Sequence, residues 1–178
     1  MKETVQARER TPVLGVVVLM ALALGYPQES VADSMTFTGI VIGLEDGDTL
    51  RVLRNKARFT MNVAAVDASE LDQPYGREAK RAAAALVKNR VVTIRVFGAA
   101  RQGQVIGEVW LKDKRNLARE LVKGGMAWVK RGVIVESDLN VIEADARASR
   151  RGLWADQNPV PPWEWRQGQR SRGVSATP

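Results

Sequence analysis

The segment TFTGIVIGLEDGDTLRVL, residues 36–53, contains two β-rich runs, Thr36 to Leu44 and Thr49 to Leu53, joined around Glu45-Asp46-Gly47-Asp48. Asp-Gly between two such runs is a strong hairpin signal, because both residue types accept the tight turn that matches strand twist. A third run, about Arg58 to Val66, alternates: Phe59, Met61, Val63 and Ala65 face one way and Arg58, Thr60 and Asn62 the other, so one face is buried. Beyond it, Val91 to Phe97 and Val105 to Leu111 read as two more strands, separated by a loop from Gly98 to Gly103. Between the third and fourth strands, Ala79, Ala82, Ala83, Leu86 and Val87 form one apolar helical stripe, with Pro74 suited to the helix's first turn. A second helix, capped by Asn116, carries Leu117 and Leu121 and stops at Gly124-Gly125. A third runs from near Ser137 to Arg151 with Leu139, Ile142 and Ala146 inward and Gly152 as its stop. Periodicity alone thus predicts an α+β chain with a small β-barrel, and goes no further.

The 178 residues amount to one domain with one core, 45% apolar and 26% charged. There is no histidine and no cysteine, which excludes disulfides and thiolate or imidazole chemistry and leaves only oxygen ligands for any metal. Lys2, Arg8 and Arg10 precede an apolar run from Val13 to Leu24 and a small-x-small site, Ser30-Val31-Ala32, before Asp33. That order predicts a signal peptide over residues 1–32 and an exported, periplasmic or secreted product, with no stable membrane insertion after cleavage. The apolar run is about a dozen residues, short of the roughly 20 that a spanning helix needs. Cleavage would remove three basic and three acidic residues and leave the net charge at +7, which suits nucleic acid or another polyanion as partner. A basic surface tuned only for solubility is the alternative. The domain is expected over residues 33–166. It would end in an extended strap whose prolines and alternating tryptophans, Pro159-Val160-Pro161-Pro162-Trp163-Glu164-Trp165-Arg166, pack on it or stack bases. Residues 167–178 read as a disordered basic tail.

Two acidic clusters stand out, Asp46-Gly47-Asp48-Thr49 and Val66-Asp67-Ala68-Ser69-Glu70, the second followed by Gln73-Pro74-Tyr75-Gly76-Arg77-Glu78-Ala79. Taken singly, Asp46 and Asp48 are equally compatible with turn residues, and Asp67 and Glu70 with caps before a helix. In this order, and with Asn116-Leu117-Ala118-Arg119-Glu120-Leu121-Val122 and Ala148-Ser149-Arg150-Arg151-Gly152-Leu153-Trp154 downstream, the chain resembles the staphylococcal nuclease (thermonuclease) family from about Thr36 to Arg166. The resemblance implies a five-stranded OB-type β-barrel with three packed helices and Ca²⁺-dependent phosphodiester hydrolysis of nucleic acid. It places metal ligands at Asp48, Asp67 and the backbone carbonyl of Ala68, a set suited to a hard cation completed by water and phosphate. Glu70 takes the place of the residue that holds or deprotonates the attacking water. The family's proline in the second cluster is Ser69 here, which frees φ and predicts a looser loop around Glu70.

Two further positions depart from the family. Its phosphate-clamping arginines, one eight residues before the glutamate and one after a loop glycine, correspond to Asn62 and Gln104. An arginine fork binds two phosphoryl oxygens while remaining cationic; an amide donates hydrogen bonds without charge. Losing one such transition-state donor typically lowers the rate on the order of 10² to 10³. Arg58 shares a face with Asn62 but lies four residues away, roughly 13 Å along a strand. Arg101, in the loop, is the candidate replacement and also occupies the place of a ligand-contacting basic residue. Around the nucleotide pocket the family's tyrosines are replaced by Gln102, Trp128 and Lys130, where Trp128 is a stacking ring or a core residue. The resulting expectation is an exported thermonuclease-family protein with weak or lost hydrolysis. The alternatives are a catalytically degenerate module binding nucleic acid or another polyanion, and an envelope structural or interaction domain.

Overall fold

A computed structural model describes residues 35–99, 104–130 and 137–174. Strands β1 (Thr36–Leu44), β2 (Thr49–Arg54), β3 (Ala57–Val63), β5 (Val91–Ala99) and β6 (Val105–Trp110) close into a barrel in the order β1-β2-β3-β6-β5, with β3 and β6 parallel and the other pairs antiparallel. Closure removes free sheet edges. The long strand β1 makes it feasible: residues 36–40 pair with β5 and residues 40–44 with β2, and Ile40 meets both Val91 and Leu53. The pairing slips between Val41 and Gly43, a bulge that bends the strand around the barrel.

Alternation in the strands is realised as expected. Val41, Leu50, Val52, Met61, Val63, Val92, Ile94 and Val109 fill the interior. Helix α1 (Gly76–Val87) lays Ala79, Ala83 and Val87 on it, and α2 (Leu117–Lys123) adds Leu117, Leu121 and Val122. As expected, Asn116 caps α2, its side chain accepting from the Arg119 amide at 3.3 Å. In α3 (Ser137–Ala148), Leu139 and Ala146 are buried and Ile142 packs partly against the core.

Four differences from the sequence reading bear on the site. The third run ends at Val63; Ala65 takes a positive φ of 69°, and a short β4 (Val66–Asp67) pairs instead with β7 (Trp128–Val129). Helix α1 begins at Gly76, two residues after Pro74, with Tyr75 in the left-handed region at φ 66°. Helix α3 stops at Ala148, and Gly152–Ala155 form a 3-10 turn. Among the described residues the barrel carries four helices rather than three: from Pro162 the expected extended strap and the start of the expected disordered tail form α4 (Pro162–Val174). Proline favours this first helical position, where its missing N–H is no loss.

Candidate active site

The acidic hairpin turn is organised by Asp46, whose Oδ1 accepts from the Asp48 amide at 3.0 Å and the Thr49 amide at 2.6 Å. Asp46 therefore serves the turn, and Asp48 is left to face inward, 7% exposed. The turn reaches the second acidic segment through Gly47: a Cβ there would lie 2.7 Å from the Ala68 Cβ and 2.8 Å from the Ala79 Cβ, so only glycine lets the two loops and α1 approach this closely. Asp67, also 7% exposed, ends β4 opposite Trp128. Burial pushes the Asp48 carboxyl well above the usual carboxylate range; Asp46 and Asp67 push the same way, and Lys130 partly offsets them.

Glu70 sits on a tied loop. Its amide donates to Gln73 Oε1 at 3.1 Å, its carbonyl accepts from the Gln73 amide at 2.9 Å, and Gly76 packs so close that a Cβ there would lie 1.8 Å from the Glu70 carbonyl oxygen. Ser69 is buried. The looser loop expected from Ser69 is not what these contacts describe, because Gln73 and Gly76 supply the restraint that proline would have given.

Asn62 and Gln104 are brought side by side by the parallel pairing of β3 and β6. Asn62 Nδ2 donates to Gln104 Oε1 at 3.0 Å, and Thr49 Oγ1 donates to Asn62 Oδ1 at 3.1 Å. Two arginines here would repel each other and converge on an anion between them; the two amides satisfy each other. Arg58 pairs with Leu53, remote from the Thr49–Asn62 rung.

The cation beside Asp67 and Glu70 comes from α4. Arg166 Nη1 donates to Asp67 Oδ1 at 3.2 Å and to Glu70 Oε1 at 2.7 Å, and Nη2 donates to Asp67 Oδ2 at 2.7 Å. These bonds raise the guanidinium's pKa still further, so it is a permanent cation. The sequence reading placed Arg166 in the strap without a role.

Trp128 is a core residue. It is buried, with the Trp154 ring centroid at 4.4 Å and the Trp163 centroid at 5.7 Å, both edge-to-face, and the Arg147 guanidinium over it at 5.4 Å. It offers no open face for a base in this conformation. Lys130 extends β7, its amide donating to the Ala65 carbonyl at 2.9 Å, and its charge acts on Asp48. Arg101 and Gln102 lie outside the described residues. Among the described residues no group of three or more His, Cys, Asp or Glu converges for a metal ion. The donor set is instead two buried carboxylates and the neighbouring Ala68 backbone. These are oxygen donors of the kind that a hard cation takes together with water and a phosphate.

A closed five-stranded barrel with helices packed on it is an α+β fold of the OB type, here with two buried aspartates beside a glutamate loop. Residues 60–156 match the family model described as staphylococcal nuclease homologue, and the chain belongs to that family. It is 36% identical over 128 residues to an uncharacterized endonuclease of Escherichia coli, covering 72% of this chain and 84% of that protein. It is 31% identical over 145 residues to a micrococcal nuclease of Shigella flexneri, covering 76% and 83%. Protein ParB of Escherichia coli is 33% identical over 144 residues, covering 75% and 81%. No helix among the described residues is long and apolar enough to cross a membrane.

Proposed function

We propose that this chain is an exported, Ca²⁺-dependent member of the family that hydrolyses nucleic-acid phosphodiesters slowly. Asp48, Asp67 and the Ala68 carbonyl would hold the cation, which when bound supplies charge to the phosphoryl oxygens and to the water. Glu70, held in place by Gln73, accepts the water's proton. Among the described residues, the clamp positions Asn62 and Gln104 bring no positive charge to the transition state. The observation that carries this reading is the 3.0 Å bond between Asn62 and Gln104, which puts two neutral amides in the place of the family's guanidinium clamp. Export rests on the order of basic, apolar and small residues over 1–32.

The reading is tested with purified protein on single- and double-stranded DNA and RNA, with Ca²⁺ or with chelator. It predicts slow cleavage that chelator and Glu70→Ala both abolish. Turnover as fast as an ordinary nuclease would overturn the clamp argument, and cleavage that survives Glu70→Ala would overturn the assignment of Glu70. The second reading, a degenerate polyanion-binding module, is favoured by the same neutral pair. It predicts no cleavage, but binding of single-stranded DNA that weakens as salt rises, by about 0.7 log units in affinity per log unit of salt for each phosphate contacted.

A further inference from the structure

Arg166 takes up the carboxylate oxygens that the proposed reaction needs. Its fork covers both oxygens of Asp67 and one of Glu70, so a cation on Asp67 and a water on Glu70 compete with it for the same lone pairs. The arginine is delivered there by a built segment. Pro162 is buried, Trp163 sits edge-on to Trp128, Trp165 Nε1 donates to Asp72 Oδ1 at 3.3 Å, and the Val160 carbonyl accepts from Gln73 Nε2 at 2.6 Å. Gln73 is the joint between strap and site, because its other amide atom holds the Glu70 backbone. The guanidinium itself stays accessible: the Arg166 side chain is 39% exposed and the Asp67 side chain 9%. Its release therefore requires the side chain to turn outward, or α4 to swing and lift Trp163 from Trp128, while the barrel interior stays closed.

We propose that the α4 strap is an internal lock on the acidic site, in which Arg166 stands in for the cation and must leave Asp67 and Glu70 before a divalent cation enters. The proposal rests on the reading of Asp48 and Asp67 as cation ligands. A site that is competent only when unlocked binds its ligand more weakly in proportion to the unlocked fraction. Removal of the lock strengthens binding, and bound cation in turn frees the strap.

The test is calorimetric titration of Ca²⁺ alone into the full chain and into Arg166→Ala and Arg166→Lys, with hydrogen exchange over residues 163–168 as a second readout. Arg166→Ala is expected to bind Ca²⁺ on the order of ten- to a hundredfold more tightly than the native protein. Arg166→Lys is expected to fall between, because a single ammonium cannot cover three oxygens at once. Ca²⁺ should speed exchange of the 163–168 amides in the native protein and leave it unchanged in Arg166→Ala. Circular dichroism establishes that each variant is folded, and if Arg166→Ala is not, Arg166→Lys carries the comparison. Equal or weaker Ca²⁺ binding in the folded variants overturns the lock alone. Absence of Ca²⁺ binding in all three proteins overturns the metal reading and the lock with it.

Discussion

Asp48 is a carboxylate placed where a carboxylate is unfavourable: it is buried, Asp46 and Asp67 repel it, and Lys130 offsets only part of this. Buried carboxylates perturbed in this way cluster at functional sites. In chelator, therefore, Asp48→Asn should stabilise the protein by about 1–2 kcal/mol, which for a chain of this size is a melting point higher by roughly 2–8 °C. Saturating Ca²⁺ should reverse the order, because only the native carboxylate gains from the cation. A melting point unchanged or lowered by Asp48→Asn in chelator would contradict the electrostatic account of the site. At this scale the sequence was informative about identity and silent about pairing. Asp48, Asp67, Glu70, Asn62 and Gln104 were all legible because they stand in short ordered motifs. That Asn62 bonds Gln104, 42 positions away, and that Arg166 reaches Glu70 across 96 positions, depends on barrel closure and strap docking, which no local pattern encodes.

Elements rather than single residues decide whether Glu70 is aimed. The segment from β4 to α1 is held by Gln73 on one side and by the contact of Gly76 with the Glu70 carbonyl on the other. Gly76→Ala has no room, so it should cost about 3 kcal/mol or more, lowering the melting point by roughly 6–12 °C and abolishing any Glu70-dependent cleavage. Gly168→Ala in α4 is the contrasting case. Nothing lies within 4 Å of the added Cβ, and helix propensity predicts a gain of about 0.5–1 kcal/mol. Thermal melts of both variants check the pair, and a Gly76→Ala protein as stable as the native one would contradict the packing described. The five barrel strands and the first three helices are readable from periods of two and 3.6, whereas the short β4–β7 pair is not. The fourth helix is not either, because Pro159-Val160-Pro161-Pro162 reads as extended chain, and α4 owes its position to Trp163 against Trp128 and to Arg166 on the carboxylates. Trp128, open to two readings in the sequence, lies buried against Trp163 in that docked arrangement.

At the scale of the whole molecule, a chain of net charge +7 carries a buried acidic site, and among the described residues the cations that act on it come from outside the barrel strands. Lys130 follows β7 and Arg166 lies on α4, while the strand positions from which two guanidinia would converge on a phosphate hold a closed amide pair. Among the described residues, the positions that correspond to the family's clamp, Asn62 and Gln104, thus carry no charge. The most direct measurement is the rate of single-stranded DNA cleavage, in saturating Ca²⁺, by the native protein, Asn62→Arg, Gln104→Arg and the double variant. If the neutral pair limits turnover, the double variant should raise kcat by on the order of 10² or more, with each single change giving much less because the remaining amide still lacks charge. A double variant that is folded, binds Ca²⁺ and cleaves no faster than the native protein would contradict the claim that Asn62 and Gln104 set the rate.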